Sequence, residues 1–223
     1  MLQKTHRLIA KYVVDSAIIS IGKYKKDLIR GAEFEDYSIR ILGYRHFYSP
    51  KLKTGYAKNV IGAKQKGMDL FNQAVEFYKK GKERKAYYTL GRSFHYLADV
   101  GSPAHTKLIY HFGEDDFEVY TEDYIKRFRL KMKLKLVPPM TLNHCFNELA
   151  YQSYKMDYEK KTPTIHFFKN LIIKPKIKKS KELDKDSRKM LESCLVYTMA
   201  LFRYFDLKTA GRSINKIFKP EIA

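Results

Sequence analysis

Apolar side chains recur every three or four residues along most of this 223-residue chain. This spacing is typical of amphipathic helices, because it places the apolar groups on one helical face. It predicts helices over residues 4–28, 57–80, 83–100, 115–132, 141–158 and 184–206. The sequence shows neither an internal repeat nor a strong series of strand patterns. It therefore predicts an all-α protein.

Three segments between these helices have a different character. Residues 31–56 are punctuated by glycines and Pro50, which predicts an irregular, loop-rich connection. Residues 126–139 alternate basic and apolar side chains, a pattern that fits either a strand or a loop. Residues 167–186 form a basic connection kept open by Pro175.

Chain length and composition favour one domain. With 44% hydrophobic residues, the chain is long enough to bury a single core, and we expect one domain over residues 1–223. The two cysteines, Cys145 and Cys194, lie in separate predicted helices. They are expected to be buried free thiols, without a disulfide framework.

The amino-terminal segment has an apolar stretch that is interrupted by Asp15 and Ser16 and followed by Gly22 and Lys23. It fits neither the apolar region of a signal peptide nor a membrane span. The sequence therefore predicts a soluble protein, cytoplasmic or peripheral to a membrane, with export by a non-standard route as the alternative. It does not specify an oligomeric state.

Net charge is the strongest compositional signal. Forty-four lysines and arginines against 24 acidic residues give a formal charge of +20. Such a field attracts phosphate-bearing partners, either nucleic acid or an anionic lipid surface. The alternative is that the Lys-rich composition reflects genome bias and carries no binding function.

Five of the seven histidines fall in the first half of the chain, near acidic residues. His95 and Asp99 are four residues apart on a predicted helix, so both side chains project from one face within reach of a common ion. His105 follows just beyond the helix. The helix's apolar stripe places the pair at the edge of the buried face. In the alternative interpretation, Asp99 pairs with a lysine or arginine and His95 is a core histidine.

The segment HYLADVGSPAH resembles the zinc-dependent phospholipase C pattern of HxxxD followed six residues later by histidine. Upstream, GAEFED and RHFYSP resemble that family's acidic loop and following histidine. Related zinc-dependent single-strand nucleases share this plan. The motifs cover about residues 1–125. The resemblance implies a helical bundle of the phospholipase C and nuclease type that holds two or three zinc ions.

Carried over to this sequence, the family's ligands imply three positions. The first zinc would be held by His46, His95 and Asp99, with Asp36 as a further ligand or as the catalytic base that orients water. A third position would use His6 and share Asp99 as a bridge. In the family it also uses the amine and carbonyl of the mature amino-terminal residue, commonly a Trp. This chain has no Trp, and Met1, five residues before His6, is the residue that would offer its amine instead.

The second position departs from the family pattern. His105 would be joined by a later HxxxE pair, but here that spacing joins Glu114 to Glu118, with His111 as an alternative nitrogen ligand. More oxygen ligands would open this site to another divalent metal, such as manganese or magnesium.

The resemblance implies a phosphodiester hydrolase that cleaves a phospholipid headgroup with metal-activated water. The basic segments 126–135 and 169–181 suit an anionic membrane surface. They equally suit a nucleic-acid backbone, or they are solvated faces without a ligand. The alternatives are therefore a zinc-dependent nuclease that acts on single strands and a non-catalytic, metal-stabilised binding module for anionic surfaces.

Overall fold

The computed structural model describes residues 3–16, 21–34, 45–55, 61–109, 116–130, 132–156 and 181–210. In these ranges the α-helices are α1 (Gln3–Ser16), α2 (Lys25–Phe34), α3 (Ala63–Lys79), α4 (Glu83–Asp99), α5 (Pro103–Thr106), α6 (Asp116–Tyr124), α7 (Leu142–Tyr154) and α8 (Lys181–Thr209). Short 3-10 turns lie at Gly22–Tyr24 and Leu134–Leu136. The only β pairing within them is the isolated bridge between Ser49 and Thr54. The predicted all-α class is confirmed.

The prediction of one helix over residues 4–28 is wrong. Helix α1 ends at Ser16, and α2 begins only at Lys25 after the 3-10 turn. Gly22 in that turn has a φ of 55°, which a residue inside a right-handed helix does not adopt. The apolar stripe continues across the break, so periodicity alone did not reveal it.

Two other boundaries differ from the sequence prediction. The expected loop over 31–56 is wrong at its start, because α2 continues through Gly31 to Phe34. Helix α6 stops at Tyr124, well before the predicted residue 132. The described part of segment 126–139 is turn and loop with a 3-10 turn rather than a strand. Most of the basic connection lies outside the described residues.

Helices α2 and α4 cross at unusually close range. A Cβ on Gly31 would lie 2.0 Å from the carbonyl oxygen of Tyr88, and one on Gly91 would lie 2.0 Å from that of Leu28. Only glycine at these two positions lets the backbones approach this closely. The crossing therefore brings the end of α2 against the carboxyl-terminal half of α4.

Helix α4 lies in the centre of the apolar core. It buries every residue from Ser93 to Asp99, so its last two turns are covered on all sides. Phe94 packs edge-to-face with Phe202 of α8 at 6.4 Å between ring centroids. Cys145 and Cys194 are both free and buried, as predicted, and burial raises the pKa of each thiol to about 12. None of the helices in the described ranges is long and apolar enough to cross a membrane.

Candidate metal centre

His95 and Asp99 occupy the last turns of α4, and both side chains are completely buried. The prediction that they lie at the edge of the buried face is wrong. Helices α1 and α2 pack against α4 and cover the side that the apolar stripe left open. An ionisable pair in such an interior requires compensating partners.

Four histidines surround the carboxylate of Asp99. Its Oδ2 lies 2.5 Å from Nδ1 of His46 and 3.1 Å from Nε2 of His95. Its Oδ1 lies 3.3 Å from Nε2 of His6 and 3.6 Å from Nδ1 of His105. The two oxygens therefore face different histidine pairs, an arrangement suited to a carboxylate that bridges two cation positions.

Asp99 is ionised in this environment. Burial by itself favours the neutral acid. Nearby positive charge, including that of His95, His46 and His6 when their rings are protonated, nevertheless holds the pKa of Asp99 well below its ordinary value. At neutral pH the carboxylate can therefore accept hydrogen bonds or bind a cation.

The hydrogen bond to the backbone of α2 fixes the orientation of His95. Nδ1 of His95 lies 2.9 Å from the carbonyl oxygen of Ala32, which can only accept, so Nδ1 carries a proton. In the neutral ring, Nε2 then presents its lone pair toward Asp99 and toward Nδ1 of His46, 3.2 Å away. A cation or a second ring proton is needed between these groups. A metal-binding histidine commonly donates its other N–H to a backbone carbonyl in this way.

Separate elements deliver the remaining histidines. His6 projects from α1 and stacks on the ring of His95, with centroids 3.9 Å apart. His105 comes from the short helix α5. His46 lies in the segment before α3, and with 16% of its side chain exposed it is the most accessible group of the cluster. The cluster therefore opens toward solvent beside His46.

Glu118 of α6 extends the cluster beyond His105. Its Oε1 lies 3.4 Å from Nε2 of His105 and accepts a hydrogen bond of 2.8 Å from the hydroxyl of Ser102. The ring of His105 thus lies between the carboxylates of Asp99 and Glu118. Ser102 fixes the orientation of Glu118 in the same manner as Ala32 fixes His95.

This donor set fits zinc. Imidazole nitrogen and carboxylate oxygen are zinc's usual ligands, alongside thiolate. His6, His95 and Asp99 each offer a ligand atom, and these atoms lie within 4.8 Å of one another. That spacing is close to the diameter of about 4 Å of zinc's first coordination sphere. A cation here would also compensate the buried carboxylates.

Six of the eight side chains that the sequence indicated as ligands meet in this cluster: His6, His46, His95, Asp99, His105 and Glu118. Asp36 and Glu114, like His111, lie outside the described residues. The carbonyl of Ala32 has no sequence signal, because it is a backbone group. The position of Ser102 before Pro103 at the start of α5 is typical of a helix cap, but its hydroxyl makes no capping hydrogen bond and instead donates to Glu118. The contact between Ser102 and Glu118 therefore has no sequence signal either.

No family model matches the chain. Among curated proteins, a phospholipase C of Bacillus cereus is 40% identical over 97 residues, which is 42% of this chain and 34% of the relative. A phospholipase C of Listeria monocytogenes is 40% identical over 60 residues, 27% of this chain and 21% of the relative. One from Clostridium haemolyticum is 25% identical over 160 residues, 64% of this chain and 40% of the relative. The chain therefore spans well under half the length of these relatives.

Two solved toxin structures share the fold. The alpha-toxin of Clostridium perfringens from an avian strain aligns with a TM-score of 0.68 and 16% identity, over 94% of this chain and 65% of that one. The alpha toxin of Clostridium absonum aligns with a TM-score of 0.64 and 15% identity, over 93% of this chain and 62% of that one. At this identity the likeness shows the fold alone. With the curated relatives, it confirms the predicted resemblance to phospholipase C.

Proposed function

Starting from this likeness to phospholipase C, we propose that the chain is a zinc-dependent phosphodiester hydrolase of the phospholipase C type that cleaves a phospholipid headgroup. The gathering of four histidines around one buried, ionised aspartate carries the proposal. Such a cluster is costly inside a protein unless it binds a cation.

The proposal assigns the ligands by the side of Asp99 that they face. His46 and His95 share Oδ2, and His6 and His105 face Oδ1. Glu118 would join His105 at the second position. Asp36 and Glu114 remain predicted members, and two or three ions would be held in all.

Zinc held in this cluster supplies Lewis acidity for the phosphate oxygens and lowers the pKa of water in the site. The chain's own groups provide the frame. Asp99 stays ionised, Ala32 holds the proton of His95 at Nδ1, and Ser102 fixes Glu118. The burial of the other groups restricts access to the side of His46. Asp36 is the proposed base that takes the proton from the attacking water.

Hydrolysis of bis-p-nitrophenyl phosphate tests the proposal without assuming a natural substrate. Purified protein should cleave it, EDTA should abolish the activity, and added zinc should restore it. His46→Asn should lower the rate at least about a hundredfold, because removal of one metal ligand disturbs the reacting centre. His144→Asn is the matched control, since His144 is exposed on α7 away from the cluster. Zinc-loaded protein that cleaves no phosphodiester would refute the enzyme and favour a metal-stabilised binding module.

The substrate class needs its own assay, because the same metal chemistry serves lipid and nucleic acid. We expect the zinc-loaded protein to release headgroup from phosphatidylcholine or phosphatidylglycerol vesicles. We expect no comparable cleavage of single-stranded DNA. Efficient DNA cleavage without lipid hydrolysis would replace the proposed substrate with nucleic acid.

A further inference from the structure

A cavity of about 740 Å³ lies outside the histidine cluster, between the segment 48–55, the start of α3 and the exposed side of α7. Its charged lining residues are two lysines and one acid, Lys53, Lys64 and Glu148, and Tyr48, Asn147 and Tyr151 also line it. Nothing in the histidine cluster lines it, and the proposed hydrolysis does not use these residues. The cavity therefore needs its own explanation.

The side-chain ammonium group of Lys64 supplies positive charge and hydrogen-bond donors inside this cavity. Nζ of Lys64 donates to Oδ1 of Asn147 at 2.7 Å, and the hydroxyl of Tyr48 donates to the same oxygen at 3.3 Å. An amide therefore holds this ammonium group, and two of its three N–H donors are left for a ligand. Partial burial, together with the charge of Lys53, lowers the pKa of Lys64. An anion bound between Lys53 and Lys64 would offset both the repulsion between the two lysines and the cost of burying the charge of Lys64.

Exposed apolar side chains lie at the cavity and beside it. Ile61 and Tyr151 line the cavity and are 53% and 49% exposed. Leu52, which is 62% exposed, lies in the turn between the lining residues Pro50 and Lys53. These three residues are called the apolar rim below. Exposed lysines accompany them, and Lys155 lies 4.1 Å over the ring of Tyr151. The two lining lysines outnumber the one lining acid, so the cavity carries a net positive charge. Apolar groups interspersed with lysines around such a cavity are typical of a surface that enters the headgroup region of an anionic membrane.

One short segment connects this cavity to the metal centre. It begins at His46 in the cluster, and two residues later Tyr48 forms the cavity wall. The backbone N–H of Tyr48 donates to the carbonyl of His105 at 3.3 Å, and the ring of Phe47 lies 5.0 Å from that of His105. A lipid held at the cavity is therefore held close to the accessible side of the cluster.

We propose that the cavity and its apolar rim dock this chain on an anionic phospholipid bilayer, with a headgroup phosphate bound by Lys64 and Asn147. The choice of lipid as partner rests on the proposed function. The location of the docking surface does not depend on the proposed function. It also differs from the basic segments 126–135 and 169–181, which the sequence indicated as possible membrane-binding surfaces.

Sedimentation with vesicles tests the location without requiring hydrolysis. Wild-type protein should bind phosphatidylglycerol vesicles at least about tenfold more tightly than phosphatidylcholine vesicles, and added salt should weaken the binding. Lys64→Met should lower the partition coefficient on phosphatidylglycerol about fivefold, whereas Lys64→Arg should retain most of it. The double variant Leu52→Ser with Ile61→Ser should lower it about tenfold through lost insertion.

Matched controls lie elsewhere on the surface. Lys79→Met removes an exposed lysine at the other end of α3, and Leu136→Ser removes an apolar side chain that is 72% exposed in the segment 126–139. Both should bind vesicles like the wild type. Wild-type binding by the Lys64 and rim variants would overturn the proposal, as would an equal loss in Leu136→Ser. Hydrolysis of bis-p-nitrophenyl phosphate should be unchanged in the rim variants. A wild-type chain that docks but cleaves nothing would therefore sink only the proposed function.

Discussion

The backbone carbonyl of Ala32 accepts a hydrogen bond of 2.9 Å from Nδ1 of His95. This contact joins the end of α2 to the histidine of α4 that faces Asp99. It exists because the two helices cross at Gly31 and Gly91 with no intervening Cβ. The close helix crossing and the orientation of the histidine ring are therefore one feature of the fold.

Gly91→Ala should disrupt both parts of this feature. The added Cβ would meet the carbonyl oxygen of Leu28 at 2.0 Å and force α2 away from α4. We expect a loss of about 2 kcal/mol in the free energy of unfolding, since overpacking a rigid contact has costs of this order. Zinc affinity should fall about tenfold or more because His95 loses its orienting partner. Urea unfolding and zinc titration measure the two effects.

The control for this variant is Asn72→Ala on the exposed face of α3, which should change neither quantity. A Gly91→Ala protein with normal stability and normal zinc affinity would contradict the link between the crossing and His95.

Variants of Glu118 and Ser102 test the part of the cluster around His105, and we expect the loss to be larger for Glu118. Glu118→Gln keeps the shape but removes the charge that faces His105, so metal content and diester hydrolysis should both fall strongly. Ser102→Ala removes only the hydrogen bond to Glu118 and should weaken zinc binding about tenfold. Ser193→Ala, whose hydroxyl contacts Gln152, is the control. A larger loss in Ser102→Ala than in Glu118→Gln would reverse the proposed roles.

Asp206 on α8 should make the free energy of unfolding depend on pH, independently of the histidine cluster. Burial raises its pKa to about 7, although Arg203 partly opposes the shift. The folded protein therefore keeps a proton that the unfolded chain releases near pH 4. The stability from this group is fully present below pH about 4 and is lost as pH rises through about 7.

Asp206→Asn removes this titration. At pH 8 the free energy of unfolding of the variant should exceed that of the wild type by about 2 kcal/mol. This is less than the full pKa shift would give, because the side chain is only partly buried and solvent screens its charge. Near pH 4 the two proteins should differ little. Urea unfolding at both pH values gives the comparison, and an equal difference at both would show that Asp206 does not titrate in this range.

The sequence predicted the helical class because the apolar stripes of α3, α4, α7 and α8 are long and regular. It failed where a local backbone conformation decided the outcome, as at Gly22 with its positive φ. The sequence pattern predicts a loop at Gly31, because a glycine required by a helix crossing has the same sequence signal as one in a turn. Helix crossings are properties of tertiary packing that periodicity does not encode.

The sequence motif predicted part of the histidine cluster, and the rest followed only from the resemblance. The spacing of His95, Asp99 and His105 is local to one helix and the turn after it, so the motif indicated their common location. His6 and His46 belong to the group of histidines in the first half of the chain, but their roles as ligands came only from the resemblance, because nothing local relates them to α4. The cavity around Lys64 was missed, since its lining comes from three separate elements. The roles of Asp36 and Glu114 and the single-domain organisation stay predictions.

Elemental analysis of the purified protein counts the zinc ions that each chain binds, and a variant of Asp99 assigns them to the histidine cluster. We expect two or three zinc equivalents per chain in the wild type. Asp99→Asn should lose at least half of them because the bridging charge is gone, whereas the control Asp69→Asn on α3 should lose none. If a folded wild-type chain contains no zinc after purification with zinc present, and takes up none on titration, the histidine cluster is not a zinc site.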